Sequence, residues 1–153
     1  MNRPKTFQVI FWGGLIAGTL DITAACVASW LRANVSPVRV FQSVASGLLG
    51  PSAYTGGAKT AVLGLVLHFL IATIATAVFY FAARKLTFMI EQPIVWGLVY
   101  GVLVYLFMNF VVLPLSAFPQ RTSPTLSGRL IGMLIIMFFI GLPIAVIVRR
   151  FSK

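Results

Sequence analysis

Four long apolar runs constrain this chain more than any other feature. They cover residues 7–31, 60–83, 93–113 and 126–148. Each meets the ~20 residues that a helix, rising about 1.5 Å per residue, needs to cross a bilayer core about 30 Å thick. A single segment in lipid can satisfy its own backbone donors and acceptors only as a helix. The runs therefore predict an all-α membrane protein with four transmembrane helices in one bundle, filling residues 1–153 as a single domain.

Composition and charge point the same way. Hydrophobic residues make up 59% of the chain and charged residues 9%, against roughly 25% charged in ordinary soluble domains. The net charge is +10, from 12 Lys and Arg against two acids. Such an excess in a soluble protein would point to nucleic acid. Here the cations punctuate the ends of apolar runs, which makes them topology signals and phospholipid contacts and gives no nucleic-acid patch. Arg3, Lys5, Arg84, Lys85, Arg149, Arg150 and Lys153 fall at one end of the spans, and Arg32, Arg39, Lys59, Arg121 and Arg129 at the other. The seven-to-five bias predicts both termini in the cytoplasm. Cys26, the single cysteine, permits no intrachain disulfide and reads as a packing residue. Thr23-Ala24-Ala25-Cys26 is a poor lipoprotein box, and Asp21 interrupts the apolar core a signal would need. The first run is expected to remain as a helix.

The connection between the first two spans has structure of its own. Ser36-Pro37 is a helix start, with the Ser as cap and Pro in the first turn. Val38, Phe41, Ala45, Leu48 and Leu49 follow at helical spacing, and Gly50-Pro51 ends the pattern. An additional short amphipathic helix is expected over 37–49, at the outer membrane face or capping the bundle, with Phe41, Leu48 and Leu49 toward lipid or the bundle. Gly56-Gly57 reads as a flexible turn. Pro114 is expected to close the third span, and Pro114, Pro119 and Pro124 to stiffen an extended loop after it.

Helices in lipid associate through small residues. Gly14, Ala17, Gly18, Asp21, Ala25 and Ala28 project into one sector of the first span, opposite Trp12, Ile16, Leu20, Val27 and Trp30. Ala61, Gly64, His68, Ala72 and Ala75 share a sector of the second. Asp21, the one acid within a span, and His68, the one histidine, thus lie on small faces. Asp21 sits roughly 15 Å and His68 roughly 12 Å from the same end of the bundle, by helical rise. They form a candidate intramembrane polar pair. It either fixes the register of two helices or lines a proton or solute path, since ionisable residues in a membrane are functional candidates by default. One His supplies too few ligands for a metal or haem, so no metal or cofactor is expected.

Asn109 is a candidate interhelical hydrogen bond. Gly97 with Gly101, and Gly128 with Gly132, have the GxxxG spacing of close helix contacts. Trp12, Trp30 and Trp96 read as interface anchors, with Trp12 alternatively facing another helix. Nucleophile-elbow, zinc-protease and phosphate-loop signatures are absent from the sequence, as are paired carboxylates, so no enzyme is expected.

The stretch from His68 through the small and aromatic positions to Tyr80, then Trp96-Gly97 through Gly101, Met108-Asn109 and Pro114-Leu115, resembles the YagU-like (DUF1440-type) small bacterial inner-membrane proteins. The resemblance covers the second and third spans best. Residues 37–50 and Gly141-Leu142-Pro143 also look like recurring features of related bacterial proteins. Where such relatives often carry a His in the fourth span this chain has Ile136 or a neighbour, which weakens a shared histidine site. The resemblance implies the bacterial inner membrane and a link to acid tolerance, and supplies no reaction. The resulting expectation is a non-enzymatic accessory subunit of a larger membrane complex, or a homo-oligomer. The rival is a proton or small-solute channel or transporter using Asp21 and His68.

Overall fold

Every long apolar run is a helix. The structure, a computed structural model, describes residues 3–119 and 125–152. Arg121, Pro124 and Lys153, which entered the charge balance and the loop reading, lie outside the described residues. Helix α1 runs Arg3–Ala33, α2 Pro37–Leu49, α3 Gly57–Lys85, α4 Pro93–Leu115 and α5 Leu126–Ser152. A single helical turn, Phe88–Glu91, joins α3 to α4. Helices α1, α3, α4 and α5 are each long and apolar enough to cross a membrane. They alternate in direction. One end of the bundle, the terminal end, holds both termini and the α3–α4 turn. The other, the distal end, holds α2, the end of α4 and the start of α5.

The four helices pack around α1 and α5. Helix α1 lies against α3 and α5, α4 lies against α5, and α2 flanks α3. The largest buried side chains sit toward the terminal end, where Val9, Phe79, Ile144 and Val148 meet. Outward faces stay apolar, as lipid requires. Val62, Val66, Leu70, Ile74 and Val78 recur every fourth residue down α3 and are all exposed. The face of α1 opposite its small residues, with Trp12, Ile16, Leu20, Val27 and Trp30, is likewise exposed. Trp12 therefore faces outward and touches Phe11 edge-on. Trp96 lies beside the α3–α4 turn. It is half-buried and packs on Phe88 there.

The short helix begins and ends on local chemistry. Ser36 Oγ accepts the Arg39 backbone N–H at 3.3 Å, Pro37 occupies the first turn, and Gly50 takes a positive φ of 67° at the exit. A 3₁₀ helix, Gly50–Thr55, follows. This element has no counterpart in the sequence reading. Gly57, with φ of 62°, opens α3 directly, so the Gly pair is the start of a helix and only briefly a turn. Helix α2 is not simply laid apolar-face-down. It buries Gln42, Ala45 and Ser46 and leaves Leu48 and Leu49 exposed. Its backbone crosses α3 so closely at Gly64 that a Cβ there would collide with the Phe41 carbonyl. Gln42 Nε2 donates to the Gly57 carbonyl at 3.1 Å, which makes a polar residue the natural occupant of that seam.

Pro114 does not close the third span. Helix α4 continues to Leu115 through a π-helical stretch, Met108–Val112. The same device recurs in α5, where the π-helical stretch Met137–Gly141 precedes Pro143. In each case the π turn ends immediately before a Leu-Pro pair. Proline removes a backbone donor and presses on the carbonyl one turn back. A widened i→i+5 turn accommodates both without ending the helix.

Candidate functional site

Helices α1 and α3 meet on their small faces. A Cβ added at Gly14 would lie 2.5 Å from Thr73 Oγ1, and one at Gly18 2.8 Å from the Phe69 ring. Ala17 and Ala72 are fully enclosed nearby. The small stripe of α3 is shared between two neighbours: Ala72 serves the α1 seam, while Gly64 receives α2.

This seam carries both ionisable groups. His68 Nε2 lies 2.9 Å from the Gly18 carbonyl oxygen and 3.9 Å from Asp21 Oδ2. A carbonyl only accepts, so Nε2 carries the proton and donates it to Gly18. The Asp21 contact is an ion-pair distance and too long for a hydrogen bond. Side-chain exposure is 12% for His68 and 15% for Asp21, so neither faces lipid broadly. Asp21 Oδ1 is buried without a hydrogen-bond partner among the described residues. Chemically, the site is an imidazole anchored on a helix backbone with a carboxylate beside it. Among the described residues no three His, Cys, Asp or Glu side chains gather as a metal site would require.

The remaining candidates separate. Gly97 and Gly101 lie in the α4–α5 seam, where a Cβ on Gly101 would sit 2.5 Å from Met137 Cα. Their partner is Gly141, whose added Cβ would strike the Gly97 carbonyl; its role across the seam went unread because no spacing within α5 marks it. Gly128 and Gly132 share the spacing but not the contact. Gly128 is approached by the Arg32 guanidinium, 3.4 Å from the Cβ position, and Gly132 only by the Tyr105 ring at 3.5 Å. The helices diverge toward the distal end, so spacing alone does not bring backbones together there. Among the described residues Asn109 makes no interhelical bond. Its Nδ2 donates to the Tyr105 carbonyl at 2.9 Å, one turn back on its own helix.

Two interhelical bonds come from tyrosines the sequence reading passed over. Tyr100 Oη donates to the Ala75 carbonyl at 2.7 Å and joins α4 to α3. Tyr80 Oη and Thr6 Oγ1 are 3.0 Å apart and join α3 to α1. A phenol inside an apolar run needs a partner, and that was the available signal.

The divergence at the distal end also opens a cleft of about 1140 Å³, between the ends of α1, α2, α4 and α5 and the 3₁₀ helix. Arg39, Arg129, Tyr54 and Asn109 line it beside Leu106 and Met133. No protein-family model, no curated protein and no solved structure matches the chain.

Proposed function

We propose that this multi-pass membrane protein is a non-enzymatic subunit of the bacterial inner membrane, joined to a larger complex or to copies of itself, with both termini cytoplasmic. The observation that carries the reading is the bond from His68 to the Gly18 carbonyl, 2.9 Å across the α1–α3 seam. It supports a reading in which the half-buried imidazole holds two helices in register. The exposed apolar stripe of α3 offers further helices a lipid-facing side on which to pack. The resemblance of residues 68–80 and 96–101 to YagU-like proteins supports the inner-membrane placement and a role in acid tolerance. Native mass spectrometry of the chain released from membranes tests the proposal. A defined assembly, with itself or with other proteins, is expected; a monomer alone in mild detergents overturns it.

A second reading has one observation in its favour. Asp21 Oδ1, buried and unpartnered among the described residues, is an acceptor free to take a proton or solute group. On that reading the pair lines a conduction path. Proteoliposomes containing a trapped pH dye would then show a proton leak that Asp21→Asn and His68→Gln both abolish. An equal leak in all three sinks it.

A further inference from the structure

We propose that the distal cleft is a binding site for a membrane lipid with an anionic phosphate headgroup. The argument starts from charge. The chain has only two acidic residues. Asp21 is turned into the α1–α3 seam beside His68, and Glu91 lies in the turn at the opposite end of the bundle. Arg39 and Arg129 line the cleft, and Arg32, near the distal end of α1, reaches Ser127 Oγ at the start of α5 at 3.4 Å. These cations come from three elements, α2, α5 and α1, and no carboxylate of the chain accompanies them. Arginine presents a planar fork of donors that matches phosphate oxygens in pairs.

Arg39 is also held in place. The Arg39 guanidinium lies 4.4 Å from the centre of the Tyr54 ring, which restricts it without neutralising it. The backbone around it is pinned. Ser36 caps α2, and the Ala117 N–H donates to the Gly47 carbonyl at 2.9 Å, tying the end of α4 to α2. Helix α5 begins beside Arg129 with Thr125 as its cap, and so adds the partial positive charge of a helix N-terminus to the same region.

The walls decide what kind of anion fits. Leu106, Phe110, Leu113, Leu130 and Met133 continue the cleft along α4 and α5 with apolar surface. A free phosphate would leave that surface empty. A phospholipid places its phosphate at the arginines and its glycerol and upper acyl chain along the leucines. Isolated basic residues at helix ends meet headgroups generally. This site differs because two of its arginines line one concave space with an aromatic ring between helices.

The full-length chain, purified in mild detergent and examined by native mass spectrometry with added lipid, tests the site. Phosphatidylglycerol is expected to remain bound under conditions that strip phosphatidylcholine. Arg39→Ala with Arg129→Ala should lower its retention at least tenfold, whereas Arg149→Ala with Arg150→Ala, the same charge loss at the terminal end, should not. Arg39→Lys with Arg129→Lys, which keeps the charge and guards against misfolding, should retain part of the binding. Ser43→Trp, which fills the cleft without removing a cation, should also release the lipid. Equal losses in both double-alanine variants, equal retention of phosphatidylcholine, or retention unchanged by Ser43→Trp would each overturn the proposal. Displacement of phosphatidylglycerol by millimolar inorganic phosphate would assign the arginines to a soluble anion and overturn the lipid.

Discussion

His68 spans the α1–α3 seam to reach the backbone carbonyl of Gly18, with Nε2 2.9 Å from the oxygen. The absence of a side chain at Gly18 is what lets the imidazole approach, because a Cβ there would already meet the Phe69 ring and Ala72. Asp21 stands one turn further along α1, 3.9 Å from the same nitrogen. His68→Leu therefore removes a hydrogen bond and also leaves Asp21 without its polar neighbour. A loss of about 1–3 kcal/mol is expected, the usual cost of stranding a partly buried polar group. Asp21→Leu together with His68→Leu removes both polar groups and should cost less than His68→Leu alone. Thermal unfolding in a single detergent would measure both. A double variant weaker than the single one would show that the pair contributes more than mutual satisfaction.

The cap of α2 makes a separate prediction. Ser36 Oγ accepts the Arg39 N–H, and nothing else in the first turn satisfies that donor by side chain. Ser36→Ala should destabilise α2 by about 1 kcal/mol. Because α2 is short and packs mainly on one helix, the effect should be local. Amide hydrogen exchange should quicken in 37–49 and stay unchanged in 60–83. Uniform quickening would mean that α2 and the bundle unfold as one unit.

What the sequence makes legible follows from whether the signal is local. Helix α2 is bounded by its own residues, Ser36-Pro37 and Gly50, and the structure gives Pro37–Leu49. The small face of α1 is likewise a property of one helix, and it lies against α3. Signals that depend on a second element are not legible. Ala72 and Gly64 lie in one sector of α3, yet one meets α1 and the other α2. Gly97-Gly101 and Gly128-Gly132 have identical spacing, but α5 stays close only where Gly141 meets Gly97. Pro114 reads as a stop because an i→i+5 turn has no sequence mark of its own. That Arg39 and Arg129 line one cleft is hidden for the same reason, since each is an ordinary helix-end cation until the helices are set around it.

Orientation across the membrane rests on the basic residues. Ser52, in the 3₁₀ helix, and Ser152, at the end of α5, are exposed at opposite ends of the bundle. In a Cys26→Ala background, Ser52→Cys should react with an impermeant maleimide added to intact spheroplasts. Ser152→Cys should react only after the membrane is opened. The opposite pattern would place the termini outside and show that the seven-to-five bias is too weak to orient the chain.

Glycines with the same apparent role should differ sharply in tolerance. At Gly64 an added Cβ would run into the Phe41 carbonyl carbon at 2.6 Å and the Ala45 nitrogen at 3.1 Å. Both are backbone atoms of α2, so no side-chain rotation relieves the overlap. At Gly132 the nearest atom is Tyr105 Cε2 at 3.5 Å, an ordinary contact on a ring that can shift. Gly64→Ala must push α2 away from α3, and should cost about 1–3 kcal/mol as overpacking does elsewhere. It should also weaken the Gln42 bond to the Gly57 carbonyl, since that bond crosses the same seam. Gly132→Ala should be neutral or slightly stabilising, because alanine is the better helix former by about 1 kcal/mol. Unfolding midpoints of the two variants, measured side by side, decide the matter. Similar losses would mean that α5 packs as tightly at Gly132 as α3 does at Gly64, and the distal cleft would then have to be narrower than its walls describe.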